Sequence, residues 1–384
     1  MRIERLSYHN KETGWCLAAM DFFPDLTLLV GVSGAGKTRI LEALSTLKKI
    51  VKGEDHSSRW GLEWNITFRS AGQQFCWTGE FERRGTATGV LTSGSIDGAR
   101  TELPRRKTGP KVLRERLTSE GKVIVERDSE NILLNEELTP KLTPFESVLN
   151  ILSLEDAIRP ASVGFSSVVD DQKSDSNVRK LFFVLEDLYN KYDTLETIRE
   201  SDLPTYAKLV LVQNRAPDVF RQIVNRFQQV FPQVEDIRFE SIVHEPFSNV
   251  PDLRIKERDV EDWIPEDKVS SGMFRTLIHL SSILLWPHEA VILIDEFENS
   301  LGINCLDFVT QRMMDESRHL QLVITSHHPY IINHISSTHW KIVTRKGSVV
   351  TAHNASEFGI GRSRHEAFIQ LINNNQYREG IATG

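Results

Sequence analysis

The chain has 384 residues, with 40% hydrophobic, 26% charged, 22 glycines and 14 prolines, a globular balance that excludes disorder on a large scale. Its net charge of −7 excludes a surface built as a whole to attract nucleic acid, leaving room only for a local basic patch. Three scattered cysteines, Cys16, Cys76 and Cys305, fit neither a disulfide framework nor a CxxC metal pattern, and no apolar run fits a signal peptide or a membrane span, so a cytoplasmic location is expected.

In chain order, the apolar run Leu26–Val30 opens into a glycine-rich turn, and residues 39–50 carry leucines and isoleucines at helical spacing, a strand, loop and helix. Alternation in "WNITFRS" and "QFCWTGEFERR" predicts antiparallel strands over 60–83 and hence a β-rich lobe. Residues 85–99 read as a hairpin end, and the stretch from Arg105 to Arg116 reads either as a solvated loop of charges or as a DNA contact. Helical patterns such as "VRKLFFVLEDLYNKY" and "VFRQIVNRFQQVF" dominate 145–231 without a sustained heptad, predicting a compact helical insertion over 145–233. It separates an N-terminal part, 1–144, from a C-terminal part, 234–384, of one α/β unit. Near the end, Ala367, Phe368, Leu371 and Ile372 define an amphipathic helix that packs on the core or docks a partner.

The segment Gly31-Val32-Ser33-Gly34-Ala35-Gly36-Lys37-Thr38 fits G-x-x-x-x-G-K-[ST] in the strand–loop–helix context that motif requires. Its glycines let backbone N–H groups approach a phosphate; Lys37 is expected to reach the β- and γ-phosphates of ATP, and Thr38 to ligate Mg²⁺. A second apolar strand, residues 290–294, ends in Asp295-Glu296: Asp295 is the expected Mg²⁺ partner and Glu296 the general base. Between the two lies Ser270-Ser271-Gly272 at the start of a helix. A serine there caps the helix in any case, but Gly272 also precedes Asp295 by 23 residues, one helix and one strand.

With "VSSGMFRTLIHLSSILLWPHEAVILIDEFENSLG" followed by "QLVITSHHPYIINHI", the chain resembles the signature, Walker B, D-loop and switch-histidine segments of ABC-type ATPases, in the branch holding RecF, SMC heads and the overcoming-lysogenisation-defect proteins. The resemblance implies an α/β P-loop NTPase head of the ABC type with a β-rich lobe and a compact helical insertion. It implies that Ser271 and Gly272, next to Ser270, touch the γ-phosphate held by a second copy, that His327 touches the γ-phosphate of its own copy, and that Glu298, Asn299 and Ser300 couple the two sites. Phe297 stands where that branch usually has proline, and no Q-loop glutamine is assigned, with Gln73 and Gln74 in the β lobe.

Only 57 residues follow His327, too few for an attached nuclease domain. The arrangement resembles stand-alone ATPase subunits of anti-phage systems such as Septu, PARIS and retron-associated ATPases. That resemblance implies a homodimer or higher oligomer with ATP sites completed in trans, controlling a separate effector such as a nuclease. A RecF-like, ATP-gated DNA clamp is the alternative.

Overall fold

A computed structural model describes residues 1–84, 109–170, 185–244, 247–299, 301, 303–316, 320–361, 364–374, 377 and 380–382. The expected hairpin end at 85–99 and Arg105, Arg106 and Lys107 lie outside them. In chain order the main elements are β1 (Arg2–Asn10), β2 (Trp15–Asp21), β3 (Leu26–Val30), α1 (Lys37–Val51), β4 (Leu62–Ser70), β5 (Gln73–Phe81), β6 (Val112–Ser119), β7 (Lys122–Arg127), β8 (Ile132–Leu134) and β9 (Glu137–Leu138). Then come α2 (Val148–Ile151), α3 (Arg159–Ser166), β10 (Val168–Asp170), α4 (Leu185–Lys191), α5 (Leu195–Glu200), α6 (Thr205–Arg215), α7 (Pro217–Val230), β11 (Val234–His244), β12 (Phe247–Glu257) and β13 (Ile264–Pro265). The last are α8 (Ser271–Leu285), β14 (Val291–Ile294), α9 (Ile303–Glu316), β15 (Gln321–Thr325), α10 (Pro329–His334), β16 (Trp340–Lys346), β17 (Val349–Asn354), α11 (Arg364–Asn373) and β18 (Ile381–Ala382).

Among the described residues, fifteen strands form one sheet in the order β10-β14-β15-β3-β16-β17-β2-β1-β4-β5-β6-β7-β8-β9, with β18 added on β16. From β10 to β16 neighbouring strands are parallel; from β2 to β9 they are antiparallel. The two halves differ for a reason visible in their side chains. Strands β3, β14 and β15 are buried on both faces and are mostly apolar, with Thr27 inside β3 and Gln321 and Thr325 at the ends of β15. Their odd and even residues serve two cores: Leu29, Val291, Leu293 and Val323 pack with α1 and α3, while Leu28, Ile292, Ile294, Leu322 and Ile324 pack with α6 and α8 to α11. Each such side chain stabilises the fold by about 1.5–3 kcal/mol. β4 and β5 instead alternate buried and open residues, as a sheet with one solvated face requires.

Residues 145–233 do not share one core. Up to Asp170 they join the β-lobe side: Val148, Leu149, Ile158 and Phe165 pack with α1 and β5, and β10 extends the parallel sheet beside β14. From α5 onward they join the opposite core. α6 is covered nearly all round, with seven consecutive residues from Tyr206 to Val212 buried, so it is a central helix rather than part of a peripheral lobe. Along the small sheet β11-β12-β13, α6 and α7 also cover an edge. Gln213 Nε2 donates to Phe239 O at 3.1 Å while its Oε1 accepts from Phe239 N–H at 2.6 Å, and Gln228 Nε2 donates to Glu235 O at 2.7 Å. These amides occupy backbone groups of β11 that β12 does not use.

The described part of the basic stretch is a strand, not a loop. β6 was hidden because an inward position is taken by Glu115, a buried carboxylate satisfied by Trp77 Nε1, Ser147 Oγ and the Val148 amide. At the C-terminus, Ala367 and Leu371 of α11 are buried in the core, Phe368 packs against it and Ile372 stays exposed. All three cysteines are free thiols. No described helix is long and apolar enough to cross a membrane.

Candidate functional site

β3, β14 and β15 run parallel, so the residues that follow them meet at one end of the sheet, where open α/β folds bind ligands. After β3, the chain turns sharply at Gly31, where a Cβ would stand 2.5 Å from Val343 O. Gly36 caps α1 with φ 104°, and a Cβ there would meet Val350 Cγ2 at 2.8 Å, so both positions demand glycine. No side chain caps α1 and its first turn holds no acid, which leaves its N-terminal amides available to an anion. Ser33 and Gly34 lie exposed on the loop.

Lys37 is only 5% exposed. Its Nζ donates to the loop's own carbonyls, Gly31 O at 2.7 Å and Val32 O at 3.1 Å. Burial pushes its pKa down to about 8, against the opposing pull of Asp295, Glu298 and Glu296. The hydroxyl of Thr38 donates to Asp295 Oδ1 at 3.1 Å, so a hydroxyl and a carboxylate stand side by side, the oxygen set Mg²⁺ takes.

Thr325, which sequence reasoning did not single out, organises both acids at the end of β14. Its Oγ1 donates to Asp295 Oδ1 at 2.6 Å and accepts from the Glu296 amide at 2.8 Å. Glu296 is held there at φ 45°, a left-handed conformation that costs a non-glycine residue about 1–2 kcal/mol, with its side chain exposed. The signal available in the sequence was a polar residue closing the strand "QLVIT", two residues before His327.

Phe297 explains its own departure from proline. Its ring is buried against His279, centroids 5.6 Å apart, and its amide donates to Thr325 O at 3.1 Å, a bond proline lacks. The next residues form a turn, with Asn299 N–H donating to Glu296 O at 2.7 Å and Leu301 N–H to Glu298 O at 3.0 Å; Ser300 lies outside the described residues. Glu298 reaches across to the loop after β15, where its Oε1 accepts from the His327 amide at 2.7 Å. Burial and the nearby Lys37 charge lower the His327 pKa below its usual value, which favours the neutral imidazole. His328 plays a different part: its Nδ1 accepts from the Tyr330 amide and caps α10. Among the described residues no group of three or more His, Cys, Asp or Glu could hold a metal ion by itself.

The chain thus brings together Gly31 to Thr38, Asp295, Glu296, Glu298 and His327. It does not bring Ser270, Ser271 and Gly272 to them. Ser270 Oγ accepts from the Met273 amide and caps α8, Gly272 O accepts from Thr276, and the two serines are exposed. Gln73 and Gln74 bond within the β lobe, to Ser119 and Glu4, and to no residue of this site. Of the basic stretch, Arg114 is bridged to Glu63 and Glu80 at 2.8 Å each and Arg116 to Glu126 at 4.0 Å, so these described cations are neutralised on their own sheet face.

Residues 172–333, under half of the chain, match the protein family described as "AAA domain, putative AbiEii toxin, Type IV TA system". No curated protein sequence matches the chain. Among solved structures, the Smc head domain with an extended coiled coil bound to the C-terminal domain of ScpA, derived from Pyrococcus furiosus, is similar with a TM-score of 0.50 and 11% identity, over 92% of this chain and 96% of that one. The SMC head domain from Thermotoga maritima aligns at 0.44 and 13% identity, over 92% and 99%. At 11% identity the likeness to the Pyrococcus furiosus head is one of fold, a mixed α/β head of the P-loop NTPase type.

Proposed function

We propose that the chain binds ATP with Mg²⁺ at this end of the sheet, hydrolyses it in an assembly of at least two copies, and controls a separate effector, a nuclease, in cytoplasmic anti-phage defence. The observation that carries the ATPase reading is the convergence of Lys37, Thr38, Asp295, Glu296 and His327 around an uncapped helix N-terminus.

In this reading Lys37 exchanges two carbonyl partners for phosphate oxygens, and the amides of Gly34, Gly36 and Lys37 surround the β-phosphate. Thr38 and Asp295 would hold Mg²⁺, which would supply charge neutralisation for the phosphates. Glu296 accepts the proton of the attacking water on its exposed carboxylate, while neutral His327 offers an N–H to the γ-phosphate. Exposed Ser271 and half-buried Gly272, at the start of α8, complete the site of a second copy. The effector reading rests on the resemblance to stand-alone defence ATPases and on the toxin–antitoxin description of the matched family.

Two measurements test this. Glu296→Gln should bind ATP, turn it over about 100-fold more slowly, and elute as a larger assembly with ATP; unchanged size with ATP would overturn the trans-site reading. Co-purification with the products of neighbouring genes, and phage plating with Lys37→Ala, test the effector. Duplex binding with a steep salt dependence, in place of a co-purifying effector, would favour a DNA clamp.

A further inference from the structure

The turn after β14 holds a carboxylate that the proposed reaction does not use. Glu298 spans two loops: its backbone lies in the turn that carries Glu296, and its Oε1 accepts from the amide of His327. Its other oxygen, Oε2, is shielded from solvent and has no hydrogen-bond partner among the described residues. A carboxylate oxygen in that condition is costly unless a positive potential offsets it. That potential comes from the phosphate-loop side, because Glu298 and Lys37 lie close enough for each to feel the other's charge.

We infer that Glu298 is an internal placeholder for the γ-phosphate: its carboxylate occupies the His327 amide and balances Lys37 until the γ-phosphate of ATP displaces it, which ties the turn at 296–301 to the nucleotide state. This rests on the reading of the site as one for ATP.

The argument is one of charge and position. The γ-phosphate needs the surroundings of Lys37 and His327 that Glu298 now occupies, and two anions sharing them repel. ADP has no γ-phosphate and leaves Glu298 in place. Displacement of the side chain releases the turn whose backbone bonds, Asn299 N–H to Glu296 O and Leu301 N–H to Glu298 O, set the position of Glu296 and Asn299. A ligand shifts a two-state element only through differential interaction, and here the difference between ATP and ADP is one phosphate competing with one carboxylate.

The experiment measures ATP and ADP affinities of the full chain by calorimetry in Mg²⁺, for wild type, Lys37→Ala, Glu298→Gln and Glu298→Ala. Glutamine keeps an acceptor for the His327 amide and removes only the charge. The expected result is ATP binding tightened at least about fivefold in Glu298→Gln, with ADP affinity changed less than about twofold. Glu298→Ala, read in the same way, should shift the ATP-to-ADP preference in the same direction. An unchanged preference in both variants, or weaker ATP binding, overturns the inference. Wild type that binds no ATP, or Lys37→Ala that binds it as wild type does, overturns the ATP-site reading instead.

Discussion

Replacing Thr325 with valine keeps shape and burial and deletes one hydroxyl. That hydroxyl donates to Asp295 Oδ1 at 2.6 Å and accepts from the Glu296 amide at 2.8 Å. A hydrogen bond to a charged acceptor contributes roughly 1.5–3 kcal/mol, and an amide left unpaired in a buried place costs about 1–3 kcal/mol. Glu296 sits at φ 45°, and loss of the bond to its amide removes one of the few contacts that offset the roughly 1–2 kcal/mol of backbone strain. The residue relaxes and its carboxylate leaves the position from which, in the proposed reaction, it activates water. The expected loss is about 10- to 100-fold in kcat, roughly 1.4–2.8 kcal/mol of activation free energy, with ATP affinity changed much less. Steady-state turnover and calorimetric binding separate the two, and Thr325→Ser, which restores the hydroxyl, should return activity to near wild type. Turnover of the valine variant within about twofold of wild type, or a serine variant as damaged as valine, would refute the idea that this hydroxyl positions the acids.

Asp202 links the far end of α1 to the segment before α6: burial opposes its ionisation, but hydrogen bonds and charge from Lys48 and Lys52 outweigh it and hold its pKa below the ordinary 3.8. A depressed carboxylate adds stability above its unfolded pKa that disappears as pH falls through the native one, so Asp202→Asn should cost about 0.5–1 kcal/mol at pH 7 and flatten the acid side of a urea-stability profile below pH 4. Gln213→Leu uncovers the Phe239 backbone on the edge of β11; light scattering should show concentration-dependent self-association, with a stability loss of about 1–2 kcal/mol. Truncation after Gly361 removes Ala367, Leu371 and β18 from the core and sheet, so the soluble yield should fall sharply, whereas a well-folded product would show that α11 is dispensable to packing.

What was legible in the sequence was legible because local pattern and tertiary environment agree. The runs before Gly31 and Asp295 are apolar but for Thr27, and the strands they form are buried on both faces. Glycine at 31 and 36 reports a steric demand that only a glycine meets. The rest required knowing what lies alongside. β6 escaped because Glu115 takes a core position, and its three donors come from Trp77, Ser147 and Val148. The central place of α6 escaped because periodicity reports one buried face and cannot report a helix covered on all sides. Thr325 and Glu298 act on residues 29 positions away along the chain, at 296 and 327 respectively, and no window of sequence joins them.

The order of the parallel strands also governs how this protein can be made. β3, complete by residue 30, lies between β15 and β16, whose residues are 321–325 and 340–346. A nascent chain therefore carries the phosphate-loop strand, apolar on both sides, for some three hundred residues before either neighbour emerges from the ribosome. During that interval the antiparallel strands β1, β2 and β4 to β9 can pair with one another, but the proposed nucleotide site, which also needs residues 295–298 and 325–327, stays incomplete. Such a topology makes the early chain a natural client for chaperones, and it makes prematurely terminated chains both inactive and prone to aggregate.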